Sequence, residues 1–376
     1  MPGERAAEFS GMACGPPRGW PWSWIDPTQY SRLPEMPEGL AAASKLLGDV
    51  APIMKTLLKR DEKVFPICKY VSPGLTNYGW FGGSAGYLTD RTGYAVAVEA
   101  SSSLQILFAL FRLMAEPSSF TSLKSVRQPK LKRPIGLPLL PKGGGPELRW
   151  IGNENIEAPA LAEDSKLMGH LRLLHSHALT YLFLHEIAHV IEGHIEFCRE
   201  TKLKAARMRR QEHEEFLGKE LRPLELLADQ RGLYLAALHI LRGLWANPSI
   251  KRKKEAAIEH LTLFGIATGI VSLVFERFSG DYSHPPASHR ALYLRVGVHI
   301  NLPAFDLSDV EIRSALNEGM QQASDAWDLL GWPRSRDVPE DIDRFLAPLI
   351  DVESRCVRPK KPPVLPGRNK SRRPDS

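Results

Sequence analysis

The stretch LTYLFLHEIAHVIEGHIEF, Leu179 to Phe197, is apolar over most of its length yet carries His185, Glu186 and His189 in its middle. Burying such groups without partners is costly, so partners must come from elsewhere in the chain. The pattern from about Ser165 to Glu192 predicts a helix, on which residues four apart share one face. His185 and His189 can then close on one metal ion. Glu186 is near enough to accept a proton from a water held there, which is the mechanical content of an HExxH motif. For the motif alone, two ordinary helix histidines are the alternative.

A zinc site needs a third protein ligand, and ELRPLELLADQRGLYLAALHIL, Glu220 to Leu241, offers Glu225, with Asp229 one turn later on the same helical face. Asp229 is suited to accept the second ring N–H of a zinc-binding histidine and so fix its tautomer. On that basis Asp229→Ala is expected to keep the fold while weakening metal affinity. Without a metal, the two carboxylates would be an acidic pair on an otherwise apolar helix.

Three segments taken in order, HEIAHVIEGH, ELLAD and SHPPASHR, resemble the gluzincin metallopeptidases related to the CAAX prenyl protease and HtpX-like enzymes. The resemblance covers roughly residues 165–295. It implies a zincin-like fold, zinc (Zn2+) held by His185, His189 and Glu225, and Glu186 as general base. It further implies a site-proximal S/T-H-P element at His284, with Arg290 six positions on beside the site. His284, or Tyr282 two residues before it, could donate to the oxyanion, with a plain turn residue the equal alternative for each. The function implied is a zinc-dependent endopeptidase that hydrolyses peptide bonds of a polypeptide substrate with an activated water. The chain has no convincing pair of membrane spans, and the insert between His189 and Glu225 is highly charged. Prenylated or membrane substrates are therefore disfavoured, and regulatory peptidases of the phage-exclusion (Lit-like) or repressor-cleaving type are soluble counterparts in style.

The other histidines read differently. His194 lies five positions after His189, about half a turn away on a continuing helix, and is predicted to be a helix-end residue near Gly193. His170, His175 and His177 lie two or more turns upstream of His185 and are predicted to fill surface or core roles.

Composition bounds the rest. The chain has 376 residues, 43% of them hydrophobic, enough for a sizeable core. Its four cysteines, Cys14, Cys68, Cys198 and Cys356, form no CxxC pair, which argues against a disulfide framework or a cysteine-built zinc site and favours the cytoplasm. The first residues contain no continuous apolar core after a basic head, so no secretory signal is expected. The formal net charge of +6 resides in the final segment RPKKPPVLPGRNKSRRPDS, leaving the body formally neutral. No specific nucleic-acid partner is therefore expected. The rival function is a noncatalytic helical binding module using this tail and RETKLKAARMRRQ, but EHEEFLGKE follows that run at once and balances it.

The predicted organisation is α+β: an irregular segment over 1–38, a mostly helical metallopeptidase domain with a small N-terminal sheet over 39–356, and a basic disordered tail over 357–376. GYAVAVEA reads as a strand that could pair with a substrate backbone, SLQILFALFRLMA as a helix, Glu116 to Glu147 as a long loop, and ELRWIGN as a further strand. The uncharged run LTLFGIATGIVSLVF, Leu261 to Phe275, falls short of the ~20 residues that cross a bilayer and is read as a core helix; membrane association is the disfavoured alternative. Oligomeric state is left open.

Overall fold

The computed structural model describes residues 24–25, 50–76, 82–90, 92–114, 165–278, 285, 289–290, 293–294, 305–329, 342–359 and 361. The segment Glu116 to Glu147 predicted to be a loop, the predicted strand ELRWIGN, Tyr282 and His284 lie outside them. The described chain is α+β and mostly helical, with a small sheet near its N-terminus.

The sheet has the order β1-β2-β4-β3. Strand β1 is only Trp24–Ile25, inside the segment read as irregular, and pairs antiparallel with β2 (Val71–Thr76). Strand β4 (Tyr94–Glu99) runs parallel to β2 and antiparallel to β3 (Gly83–Tyr87). Every residue of β4 is buried, so its near-continuous apolar sequence is that of a strand covered on both faces. GYAVAVEA is thus a strand as predicted. It is, however, the interior one, with both edges already bonded, and cannot take an added backbone. Among the described residues the edges are β3 and the two-residue β1.

Helix α1 (Val50–Asp61) precedes β2, and α2 (Ala100–Met114) follows β4 directly. Next comes α3 (Ser165–Ile191), then α4 (His194–Ala205) and α5 (Arg210–Ala246). The series ends with α6 (Lys253–Phe278), α7 (Asp309–Leu329) and α8 (Ile342–Arg355). Helix α3 lies at the centre. It packs on β3, β4, α2, α5 and α6, and Leu174, Ala178, Leu182, Phe183, Leu184, Ile187 and Val190 are all buried around its circumference. A helix apolar on every side has no face to give to water, which is why the HExxH motif sits in the interior.

The apolar run Leu261–Phe275 is the middle of α6, a helix longer than the run itself. The 23 residues Lys253–Phe275 are long and apolar enough to cross a membrane by length and composition, but 72% of the apolar window is buried inside the fold. Packing therefore identifies it as a core helix, where length does not. Its main partner is α7, and the two approach so closely that a Cβ at Gly265 would strike the Leu316 carbonyl and one at Gly319 the Thr262 carbonyl. Helix α7 turns a stripe of Ile312, Ala315, Leu316, Met320, Ala323 and Trp327 to this contact. It opens on a capping box: Ser308 Oγ accepts from Glu311 N at 3.2 Å, while Glu311 Oε2 accepts from Ser308 N at 2.9 Å.

Of the upstream histidines of α3, His175 and His177 are core residues and His170 is only partly buried. His175 Nε2 lies 3.1 Å from Ser103 Oγ, and the His177 ring meets His260 and Phe264 edge-on. Burial pushes His175 down to about 4, against a hydrogen bond to the Ser103 backbone that favours its charged form. Burial, with His260 nearby, pushes His177 down to about 3. Both folded values lie below the ordinary 6.5, so the fold favours the neutral rings. That stability is complete above pH ~6.5 and is lost as the pH falls toward 4 for His175 and 3 for His177. At ~1.4 kcal/mol per pH unit, moving from pH 7.5 to 5.0 should cost roughly 2 kcal/mol for each ring. Urea unfolding with a chelator present should show this fall, and His177→Phe should make it shallower. A parent whose stability is equal at both pH values would contradict the assignment.

Candidate metal centre

Helices α3 and α5 cross where Gly232 faces His185: a Cβ on Gly232 would come within 2.8 Å of His185 N and 2.9 Å of its Cα. This lack of a side chain lets the two backbones meet. Glu225, Asp229 and Gly232 lie on one face of α5 by the three-and-four spacing, so the close approach brings both carboxylates against the α3 histidines.

His185 Nε2 and His189 Nε2 are 3.2 Å apart. Glu225 Oε2 stands 3.4 Å from His185 Nε2, and Glu225 Oε1 stands 3.7 Å from His189 Nε2. One ligand atom from each of the three residues falls within 4.8 Å of the others, and among the described residues no other such metal-ligating group is found. The other ring nitrogens each face a polar group. His185 Nδ1 lies 2.9 Å from Asp229 Oδ1, and His189 Nδ1 lies 3.1 Å from His194 Nδ1. Two imidazole nitrogens and a carboxylate thus converge on one point with their lone pairs, and only a proton or a cation satisfies such a set. Without metal, a proton on His185 does so: burial opposes its charge, but Asp229, Glu225 and Glu186 outweigh burial and raise it to about 10. Burial keeps His189 neutral, pushed down to about 4 despite Glu225. The donors fit a zinc ion, for which imidazole and carboxylate are ordinary ligands.

Asp229 is fully buried and faces three residues, His185, Tyr181 and Arg290. Besides His185, it accepts from Tyr181 Oη at 2.6 Å, from Arg290 Nε at 2.7 Å and from an Arg290 terminal nitrogen at 2.5 Å. Burial alone would raise its pKa, but Arg290 and His185 prevail and hold it well below the usual carboxylate range. Arg290 is itself buried and lies over the Phe275 ring, 4.4 Å from the centroid. The expectation that Asp229→Ala spares the fold therefore needs correction. The substitution would strand a buried guanidinium, and losing one partner of a buried pair costs on the order of 3–5 kcal/mol. Thermal melting of the metal-free variant should show that loss, whereas parent-like melting would contradict the pairing.

Glu186 is buried against the sheet. A Cβ on Gly83 of β3 would collide with its Cγ and Oε1, and Oε1 lies 3.9 Å from His185 Nε2. The general-base candidate thus sits between the ligand set and the edge strand β3.

The structure brings together His185, Glu186, His189, Glu225, Asp229 and Arg290. Tyr282 and His284 fall outside the described residues. Sequence reasoning missed Tyr181, Gly232 and His194. Tyr181 precedes His185 by one turn on α3, a spacing that could have flagged it. His194 is a helix-end residue beside Gly193, as predicted, but it is buried and faces His189, because the chain does not continue α3 to reach it. Helix α3 stops at Ile191, Gly193 adopts a left-handed φ of 78°, and α4 starts at His194, turning that ring back onto His189. A side chain at Gly193 would also strike the carbonyl of Val357. The start of the basic tail is thus packed on this corner, with Arg358 Nε donating to Glu192 Oε2 at 2.5 Å.

No family model matches the chain, and neither the curated proteins nor the solved structures yield a match. The chemistry of the site therefore rests on its own geometry.

Proposed function

We propose that the chain is a zinc-dependent endopeptidase of the gluzincin type, acting on polypeptide substrates in the cytoplasm. The observation that carries this reading is the convergence of His185 Nε2, His189 Nε2 and the Glu225 carboxylate with Glu186 at their side. Three protein ligands suit a catalytic zinc, whereas a structural zinc is closed by four. When bound, zinc supplies Lewis acidity to a water and to the carbonyl under attack. Glu186 takes the proton from the attacking water and delivers it to the leaving amine. Asp229 holds His185 with its Nε2 lone pair toward the ion, and Arg290 keeps Asp229 ionised inside the fold. The edge strand β3, unpaired on its outer side among the described residues and with mostly small side chains in GSAGY, is where an extended substrate backbone adds. The free thiols of Cys68, Cys198 and Cys356 agree with a reducing compartment.

A mixed peptide library incubated with zinc-loaded protein, with new termini read by mass spectrometry, tests the proposal. Cleavage should appear, stop on chelation and return with zinc. Cleavage that persists through exhaustive chelation, or none by zinc-loaded protein, would overturn it.

A further inference from the structure

The two histidines of the site are supported from behind by different chemistry. His185 has an anion at its Nδ1, the Asp229 carboxylate, while His189 has a second imidazole, His194, with Nδ1 to Nδ1 at 3.1 Å and ring centroids 5.1 Å apart. His194 is 1% exposed. Three features fix its placement: the end of α3 at Ile191, the left-handed turn at Gly193, and the Val357–Arg358 strap, which leaves no room for a side chain at Gly193.

We propose that His194 is a positioning residue for the metal centre, holding His189 in the tautomer that binds through Nε2. The inference rests on the metal reading above. An imidazole that ligates through Nε2 carries its proton on Nδ1 and needs an acceptor there. The group within hydrogen-bonding distance of His189 Nδ1 is His194 Nδ1. To accept, His194 must be neutral and carry its own proton on Nε2. The pair therefore has one consistent arrangement, His189 Nδ1–H donating to His194 Nδ1, and it aims the His189 lone pair at Glu225 and His185. Because this support is uncharged, the site gains orientation at His189 without a second buried anion beside the Asp229–Arg290 pair.

The test is zinc affinity, measured by competition with a chromophoric chelator, for the full chain and two variants. His194→Phe keeps the ring volume and removes the acceptor. His194→Asn restores an acceptor oxygen close to the position of Nδ1. His194→Phe should bind zinc ~10–100-fold more weakly, the usual cost of losing such a support, and His194→Asn should recover to within ~3-fold of the parent. Metal-free melting temperatures of the folded variants should not follow this order. Affinity equal to the parent in His194→Phe, or Asn as weak as Phe while both fold, would overturn the proposal.

A second measurement needs no variant. Histidine 15N spectra of the zinc-loaded parent should show His189 protonated at Nδ1 and His194 at Nε2 only; a proton on His194 Nδ1 would overturn the assignment even if the variants fail to fold. A parent that takes up no zinc removes the metal reading and this one with it, whereas a zinc-binding parent with an indifferent His194→Phe removes only this one.

Discussion

Glu186→Gln should bind zinc and melt like the parent while losing peptide hydrolysis by at least ~10²-fold, the lower end of what a general base contributes. The substitution keeps the length and planarity of the side chain, so its packing against Gly83 and beside His185 survives. What it removes is the capacity to take a proton from water and pass it on. Zinc content, melting temperature and cleavage rate measured on the same preparations separate these effects. Equal cleavage by parent and variant would take Glu186 out of the chemistry. Loss of zinc together with activity would make it a ligand and not a base.

Glu225→Ala should lose zinc by more than ~100-fold, because even a partner behind a ligand is worth ~10–100-fold and Glu225 is one of three ligands. The fold should hold, since Glu225 is partly exposed, whereas the fully buried Asp229 one turn on carries the direct ion pair to Arg290. Competition titration reads the affinity, and melting of the metal-free variant reads the fold. An affinity within ~3-fold of the parent would leave the histidine pair without its carboxylate and contradict the ligand set.

Much of this centre was legible in the sequence because it depends on helical periodicity. His185 and His189, and likewise Glu225 and Asp229, are pairs at the four-residue spacing, and periodicity puts each pair on one face without knowledge of the fold. The missing parts depend on events that periodicity does not carry. His194 is brought to His189 by a helix break, and extrapolating α3 past Gly193 points it the wrong way. Gly232 matters because two helices cross there, a fact of tertiary packing. Pro223 would ordinarily mark a helix boundary, yet α5 continues through it from Arg210 to Ala246.

The sheet divides in the same way. The apolar run of β4 announced a strand. Its place in the interior, and that of β3 at an edge, follow only from strand order. For Leu261–Phe275 the length rule reached the core assignment although the helix extends well past the run. The deciding facts are the close contact with α7 and the burial of its window.

The most direct test of the central claim is the metal content of protein purified from zinc-replete growth, measured by elemental analysis beside Glu225→Ala and His189→Ala. The site predicts one zinc per parent chain and strong depletion in both variants. A parent that carries no zinc and takes up none on titration would contradict a metal centre at His185, His189 and Glu225.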